Sequence, residues 1–305
     1  MESSLAPLIA ASINAGTPLM LAALGLLINE KSGVINLGAE GMMLIGAVIG
    51  FAATVHSGSV PVGFAAAACA GMLLAGFFAL LTVWLGTNQY ATGLALTMFG
   101  AGVSTYIGRP YEGSSLPGGK FAIPGLQDLP FVGTALFKQH PMAYLAMLLC
   151  VLVIVFLYRS RAGLVLRAVG ESPASAHALG YGVRSIRTYA LLFGGLCCGL
   201  AGAYMSLVYT PLWSQGMVAG RGWIALALTT FATWRPARVL IGAYLFGGVT
   251  IITFYLQGQG VAMSPELLAM APYLATIIVL VLISRNANWI KLNMPASLGK
   301  NFRPS

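Results

Sequence analysis

Runs of apolar residues approaching twenty in length recur along the whole 305-residue chain. A helix of that length crosses the roughly 30 Å hydrocarbon core of a bilayer. Inside lipid every backbone amide and carbonyl must be satisfied within the protein, so such runs can only be helices. Only 8% of the residues are charged, against roughly 25% in a soluble domain, and mean hydropathy is +0.85. A water-soluble fold is excluded. The predicted spans are 5–28, 37–55, 60–85, 90–108, 142–158, 189–209, 222–234, 239–256 and 267–284. The segment 222–234 is too short to cross alone and reads as a broken or re-entrant helix beside a binding site. The expected class is therefore an all-α polytopic membrane protein of about nine helices, within a range of eight to ten. The whole of 1–305 is expected to form one membrane domain.

Sixteen Lys+Arg against seven Asp+Glu give a net charge of +9. In a chain of this hydropathy the basic residues report orientation rather than a nucleic-acid partner. None precedes Lys31, at the far end of the first span. An outside N-terminus and nine spans place twelve basic residues inside and four outside: Arg109, Lys120, Lys138 and Arg221. The C-terminus then lies inside. Met1 to Leu5 lacks the basic start of a secretory signal, so the first apolar run is expected to stay in the mature protein. Trp84, Tyr90, Tyr106, Tyr158, Trp213, Trp234 and Trp289 fall near span ends, where amphipathic rings prefer to lie.

Two loops stand out. The outside loop 109–141 carries Pro110, Pro117, Pro124 and Pro130 among five glycines, and is expected to be an irregular surface for a soluble partner or a plain connector. The inside loop 159–187 contains a short helix with its own start and stop: Ser172 as N-cap, Pro173 at the first helical position, and Gly180 as the left-handed terminator after Leu179. A preceding turn or two over 163–169 is expected to end at Gly170. With arginines 159, 161, 167, 184 and 187 around it, the insert suits another protein or an anionic lipid surface.

No phosphate loop, zinc-protease or serine-hydrolase motif occurs, and His56, His140 and His177 are scattered over different loops. The chain is not expected to be an enzyme, to bind a metal or cofactor, or to hydrolyse ATP itself. Cys69, Cys150, Cys197 and Cys198 all lie in apolar runs and read as buried free thiols. Polar groups within spans are costly unless they face a cavity or a partner helix. Glu40 is the foremost, one helical turn after Asn36 and so expected on the same helix face. The pair reads either as a substrate-path contact or as a charge favoured by a helix start. Asn14 and Asn88 are further path candidates.

The run Gly33-Val34-Ile35-Asn36-Leu37-Gly38-Ala39-Glu40-Gly41-Met42-Met43-Leu44-Ile45-Gly46-Ala47 resembles the hallmark of permease subunits of ABC importers in the simple-sugar, nucleoside and branched-chain amino acid superfamily. Its wording is most similar to the nucleoside branch. Arg167-Ala168-Val169-Gly170-Glu171-Ser172-Pro173-Ala174-Ser175-Ala176, followed by Leu179-Gly180, resembles the family's cytoplasmic coupling segment. Gly220-Arg221-Gly222-Trp223-Ile224-Ala225-Leu226-Ala227 resembles the corresponding place in the second half. The resemblance implies a bacterial inner-membrane permease paired with a second, similar permease, with cytoplasmic ATPase subunits that use ATP and with an extracytoplasmic substrate-binding protein. It also implies a nucleoside substrate, with a pentose or other simple sugar as the alternative.

An ion-coupled secondary transporter is the competing class. It is disfavoured because Glu40 is the sole carboxylate expected near a span interior. A faint echo between 33–46 and 220–232, each a Gly-rich turn before an apolar helix, suggests two loosely related halves meeting at the path.

Overall fold

The computed structural model describes residues 2–117, 132–258 and 293–303, with scattered positions between 270 and 281. The helices in chain order are α1 (Glu2–Lys31), α2 (Ala39–Ser57), α3 (Val60–Ala79), α4 (Gln89–Gly108), α5 (Val132–Leu136) and α6 (Pro141–Arg159). They continue with α7 (Arg161–Glu171), α8 (Pro173–Ala178), α9 (Val183–Tyr204), α10 (Arg221–Phe231) and α11 (Pro236–Gly258). The last turns of α3 and α9 widen into π geometry over Leu80–Trp84 and Met205–Tyr209. Among the described residues the only β pairing is two isolated bridges, Glu112 with Trp213 and Ser115 with Leu212.

Six helices among the described residues are long and apolar enough to cross a membrane: Leu5–Lys31, Ala39–Ser57, Val60–Trp84, Pro141–Arg159, Val183–Tyr209 and Pro236–Gly258. The expected nine are not found among the described residues. The predicted span 90–108 does form α4, but its threonines, glycines and tyrosines keep it out of that apolar set. The predicted 222–234 is an 11-residue helix, long enough at 1.5 Å per residue for about half the hydrocarbon core. The predicted 267–284 lies largely outside the described residues.

Helices α1, α2 and α9 are buried over most of their length and form the centre, while α3, α6 and α11 are buried over less than half of theirs. On α6, Leu145, Leu148, Val151, Leu152 and Val155 are all exposed, as an outer face solvated by lipid requires. Close approach in the centre depends on small residues. A Cβ at Gly71 of α3 would overlap the carbonyl of Gly195 on α9, and one at Gly195 would overlap Gly71 in return. The thiol expectation holds for Cys150, Cys197 and Cys198, but Cys69 is exposed, because it falls on the outer side of α3.

The connections gather at two ends. At one, His56 Nε2 meets the Tyr111 hydroxyl at 2.8 Å, Gln139 donates to the Ala10 carbonyl at 3.1 Å, and the bridges tie 112–115 to 212–213. At the other lie Lys31, the α7–α8 insert, Arg187 and the C-terminal residues 293–303.

Candidate functional site

The short helix α10 is held at both ends by carboxylates from elsewhere. The first amides of any helix lack intrahelical acceptors, and Gly220, at φ 81° in the N-cap position, has no side chain to supply one. Glu40, in the first turn of α2, supplies both: its Oε1 accepts from the Gly220 amide at 2.8 Å and its Oε2 from the Gly222 amide at 2.7 Å. A Cβ at Gly222 would lie 2.6 Å from the Glu40 Cα, so only glycine permits this approach. Below the helix, the Trp234 indole N–H donates to Glu30 Oε2, and the Thr229 hydroxyl donates to Glu30 Oε1 at 3.0 Å. Thr233 and Trp234 have φ of 49° and 53°, values costly for non-glycine residues, in the turn that brings the indole to Glu30.

Above the start of α10 lies a cavity of about 570 Å³ whose polar lining comes from Asn14, Tyr209, Thr210, Ser214 and Arg221. Phe254 and neighbouring apolar side chains complete its wall. Its position follows from the two interrupted helices: the π turn ends α9 at Tyr209, and the chain then runs irregularly until α10 begins at Arg221. The Tyr204 hydroxyl donates to Asn14 Oδ1 at 2.6 Å, fixing the amide. The Arg221 guanidinium stands 5.3 Å from the Tyr209 ring centroid and donates weakly to the Met217 and Val218 carbonyls, each at 3.4 Å. At the same end, His140 caps α6 by accepting from the Met142 amide at 3.2 Å, and burial lowers its pKa.

The four path candidates do not converge. Asn14 lines the cavity, and Glu40 sits beneath it at the start of α10. Asn36 precedes α2 rather than standing on it, so it does not share a helix face with Glu40 as the sequence suggested. Its Oδ1 accepts from the Gly38 amide at 3.0 Å, forming the turn that starts α2. Asn88 caps α4, accepting from the Tyr90 and Ala91 amides at 2.9 and 3.1 Å, at the opposite end from Asn14.

The insert follows its local signals. Ser160 caps α7 by accepting from the Gly163 amide at 2.9 Å, and Ser172 caps α8 by accepting from Ser175 at 3.3 Å. Pro173 opens α8, and Gly180 takes φ 88° after Leu179. The insert has its own small core of Val169, Ala176 and Val183. Glu171, Ala174, Leu179 and Gly180 are exposed, Leu179 by 78%. Gly170 departs from expectation: α7 runs through it to Glu171. Its glycine identity serves packing instead, because a Cβ there would overlap the Lys31 carbonyl.

Sequence reasoning missed two residues at this end. Glu30 is buried, not solvated past a span end, so Glu40 is not the sole carboxylate in the interior. Arg187, expected among the arginines of the insert surface, is 2% exposed and donates to the Ser32 carbonyl, the Lys300 carbonyl and the Ser297 hydroxyl at 3.1, 3.0 and 3.1 Å. Its one legible signal is its place at the start of an apolar helix, where a cation cannot remain unpartnered.

With this geometry in hand, residues 8–283 match the family described as branched-chain amino acid transport system / permease component. The chain belongs to that family. Among its relatives, a Haloferax volcanii protein provisionally named a glucose ABC transporter permease is 40% identical, the match covering 97% of each chain. A nucleoside ABC transporter permease of Lactococcus lactis is 30% identical over 87% of this chain and 88% of its own. A guanosine ABC transporter permease of Bacillus subtilis is 29% identical over 90% of each. No solved structure matches. The chain is thus a multi-pass, membrane-embedded permease of the sugar and nucleoside ABC superfamily, a transport subunit rather than an enzyme. Family membership implies that it works in an ABC complex with an ATPase and a substrate-binding protein.

Proposed function

We propose that this permease passes a neutral, hydroxyl-rich ring compound, a nucleoside in the first instance, inward through the cavity above α10. The observation that carries the reading is the double capping by Glu40. A free helix N-terminus attracts anions, but here a carboxylate already occupies the Gly220 and Gly222 amides and the Arg221 amide donates to the Val218 carbonyl. The adjoining Arg221 balances that carboxylate in sign, leaving a site with no net demand for a charged substrate. Asn14, Thr210, Ser214 and Tyr209 offer donors and acceptors for hydroxyls, and Phe254 offers an apolar face for a ring. A simple sugar is the second reading, favoured by the 40% identity to the Haloferax volcanii relative.

The remaining parts take their roles from the same reading. Residues 109–141 face a substrate-binding protein outside the bacterial inner membrane, with the N-terminus outside and the C-terminus inside. Residues 159–187 face the ATPase, with Gly170, Glu171, Ser172, Pro173, Ala174, Ala176, Leu179 and Gly180 as the coupling residues. A second, similar permease completes the pore, and ATP enters the cycle only through the ATPase. The exposed α8 face supports this assignment, since a capped helix with its own small core can transmit a push that a flexible loop would absorb. The deciding experiment reconstitutes the complex in proteoliposomes and measures ATP-dependent uptake of labelled nucleosides and labelled glucose. Nucleoside uptake that unlabelled glucose does not compete supports the first reading, glucose uptake the second. Transport driven by an ion gradient without ATP would sink both.

A further inference from the structure

The C-terminal residues 293–303 run along the same end of the molecule as the α7–α8 insert. They tie together the α7–α8 insert, the α1–α2 turn, the α3–α4 connection and Arg187 of α9. Ser297 donates from both its amide, at 3.0 Å, and its hydroxyl, at 2.6 Å, to the Gly170 carbonyl of α7. The same hydroxyl accepts from Arg187, whose other nitrogens reach the Ser32 and Lys300 carbonyls. The Gly299 amide donates to the Gly33 carbonyl at 3.1 Å, and Lys31 donates to the Asn293 carbonyl at 2.8 Å. Asn301 donates to the Gly86 and Thr87 carbonyls at 2.8 and 2.9 Å and accepts from Gln89, which itself accepts from the Ile35 amide. Phe302 packs on the Val169, Ala176 and Val183 core, its ring 5.5 Å from that of His177 on α8.

We propose that residues 293–303 are a strap, pinned by Arg187 and Ser297, that joins the α7–α8 insert to the α1–α2 turn and so makes a movement of the insert a movement of that turn. The inference rests on the coupling role proposed above for the insert. The turn is well placed to pass the movement on: Ser32 and Gly33 follow two and three residues after Glu30, which holds Trp234 and Thr229 of the α10 unit. At the far end of α10 stands Glu40, beneath the cavity. Insert, strap and turn are thus joined by direct hydrogen bonds, and Glu30, at the end of α1 just before the turn, carries the link to the half-helix. Arg187 and Ser297 are positioning residues, for they touch no substrate.

Ser297→Ala removes the hydroxyl contacts while the backbone bond to Gly170 keeps the strap docked. In proteoliposomes holding the full complex, this variant is expected to lower uptake per ATP hydrolysed by roughly fivefold, the factor one net hydrogen bond is worth. Assembly with the ATPase should be unchanged, and Ser297→Thr, which keeps a hydroxyl, should restore the ratio. An unchanged ratio in Ser297→Ala overturns the proposal. A second measurement uses His177→Cys with Phe302→Cys in a background lacking the native cysteines, bridged by a short reducible cross-linker. A strap that moves with the insert tolerates the bridge. Uptake abolished by cross-linking and restored by reductant would show that the strap must detach, and overturns the proposal as well. If the unaltered chain binds no ATPase, the transport reading fails first and the strap falls with it.

Discussion

Replacing Glu40 by glutamine probes the contact on which the start of α10 depends. The carboxylate accepts two amides at 2.8 and 2.7 Å, lengths typical of charge-assisted bonds. Glutamine keeps one acceptor oxygen but turns an NH2 group toward the other amide, leaving a buried N–H without a partner at a cost of about 1–3 kcal/mol. Loss of the charge at the helix N-terminus adds about 0.3–1 kcal/mol. Removing a buried charge returns part of its desolvation cost, so the net loosening is taken as about 2 kcal/mol, within the range of these terms. At about 1.4 kcal/mol per factor of ten, that is roughly a 30-fold rise in opening of the first turn of α10. Amide hydrogen exchange at Gly220, Gly222 and Trp223 in the purified complex reads this directly. Uptake should fall while the amount of assembled complex stays the same. Unchanged exchange at these amides refutes the capping argument, and lost assembly with no separate transport defect reduces Glu40 to a packing residue.

Two further outcomes are expected. In a background without native cysteines, a cysteine at Pro117 should react with an impermeant reagent added outside and one at Ser175 only from inside; the opposite pattern reverses the proposed orientation. Glu171→Arg with Ser172→Ala removes the α8 cap, worth about 1 kcal/mol, and reverses the charge beside it. Weakened ATPase binding or hydrolysis uncoupled from uptake is expected, whereas wild-type substrate-stimulated hydrolysis and uptake would move the contact away from α8.

The parts legible in the sequence share one property: their cause lies within a few residues. Apolar run length located α1, α2, α3, α6 and α11 to within about three residues of their observed ends and α9 to within six at its start. Ser172, Pro173 and Gly180 marked α8 because capping is a contact between neighbours along the chain. The same local rule misplaced Asn36, since spacing indicates a shared face only if the helix already includes both residues, and α2 begins three residues later. It also misread Gly170, whose missing side chain makes room for another segment rather than ending a helix.

What the sequence by itself determined is the class: uncharged runs of about twenty residues leave the backbone no partner in lipid except its own helix. Which polar groups meet inside that class was decided only by the tertiary structure. Glu40 and Gly222 are 182 residues apart, Glu30 and Trp234 204, and Arg187 and Ser297 110. No periodicity or local spacing records such pairs. They arise because a charge or an open helix end left in a low-dielectric interior must find whatever partner the packing brings to it, and that packing is set by how α1, α2 and α9 come together at the centre.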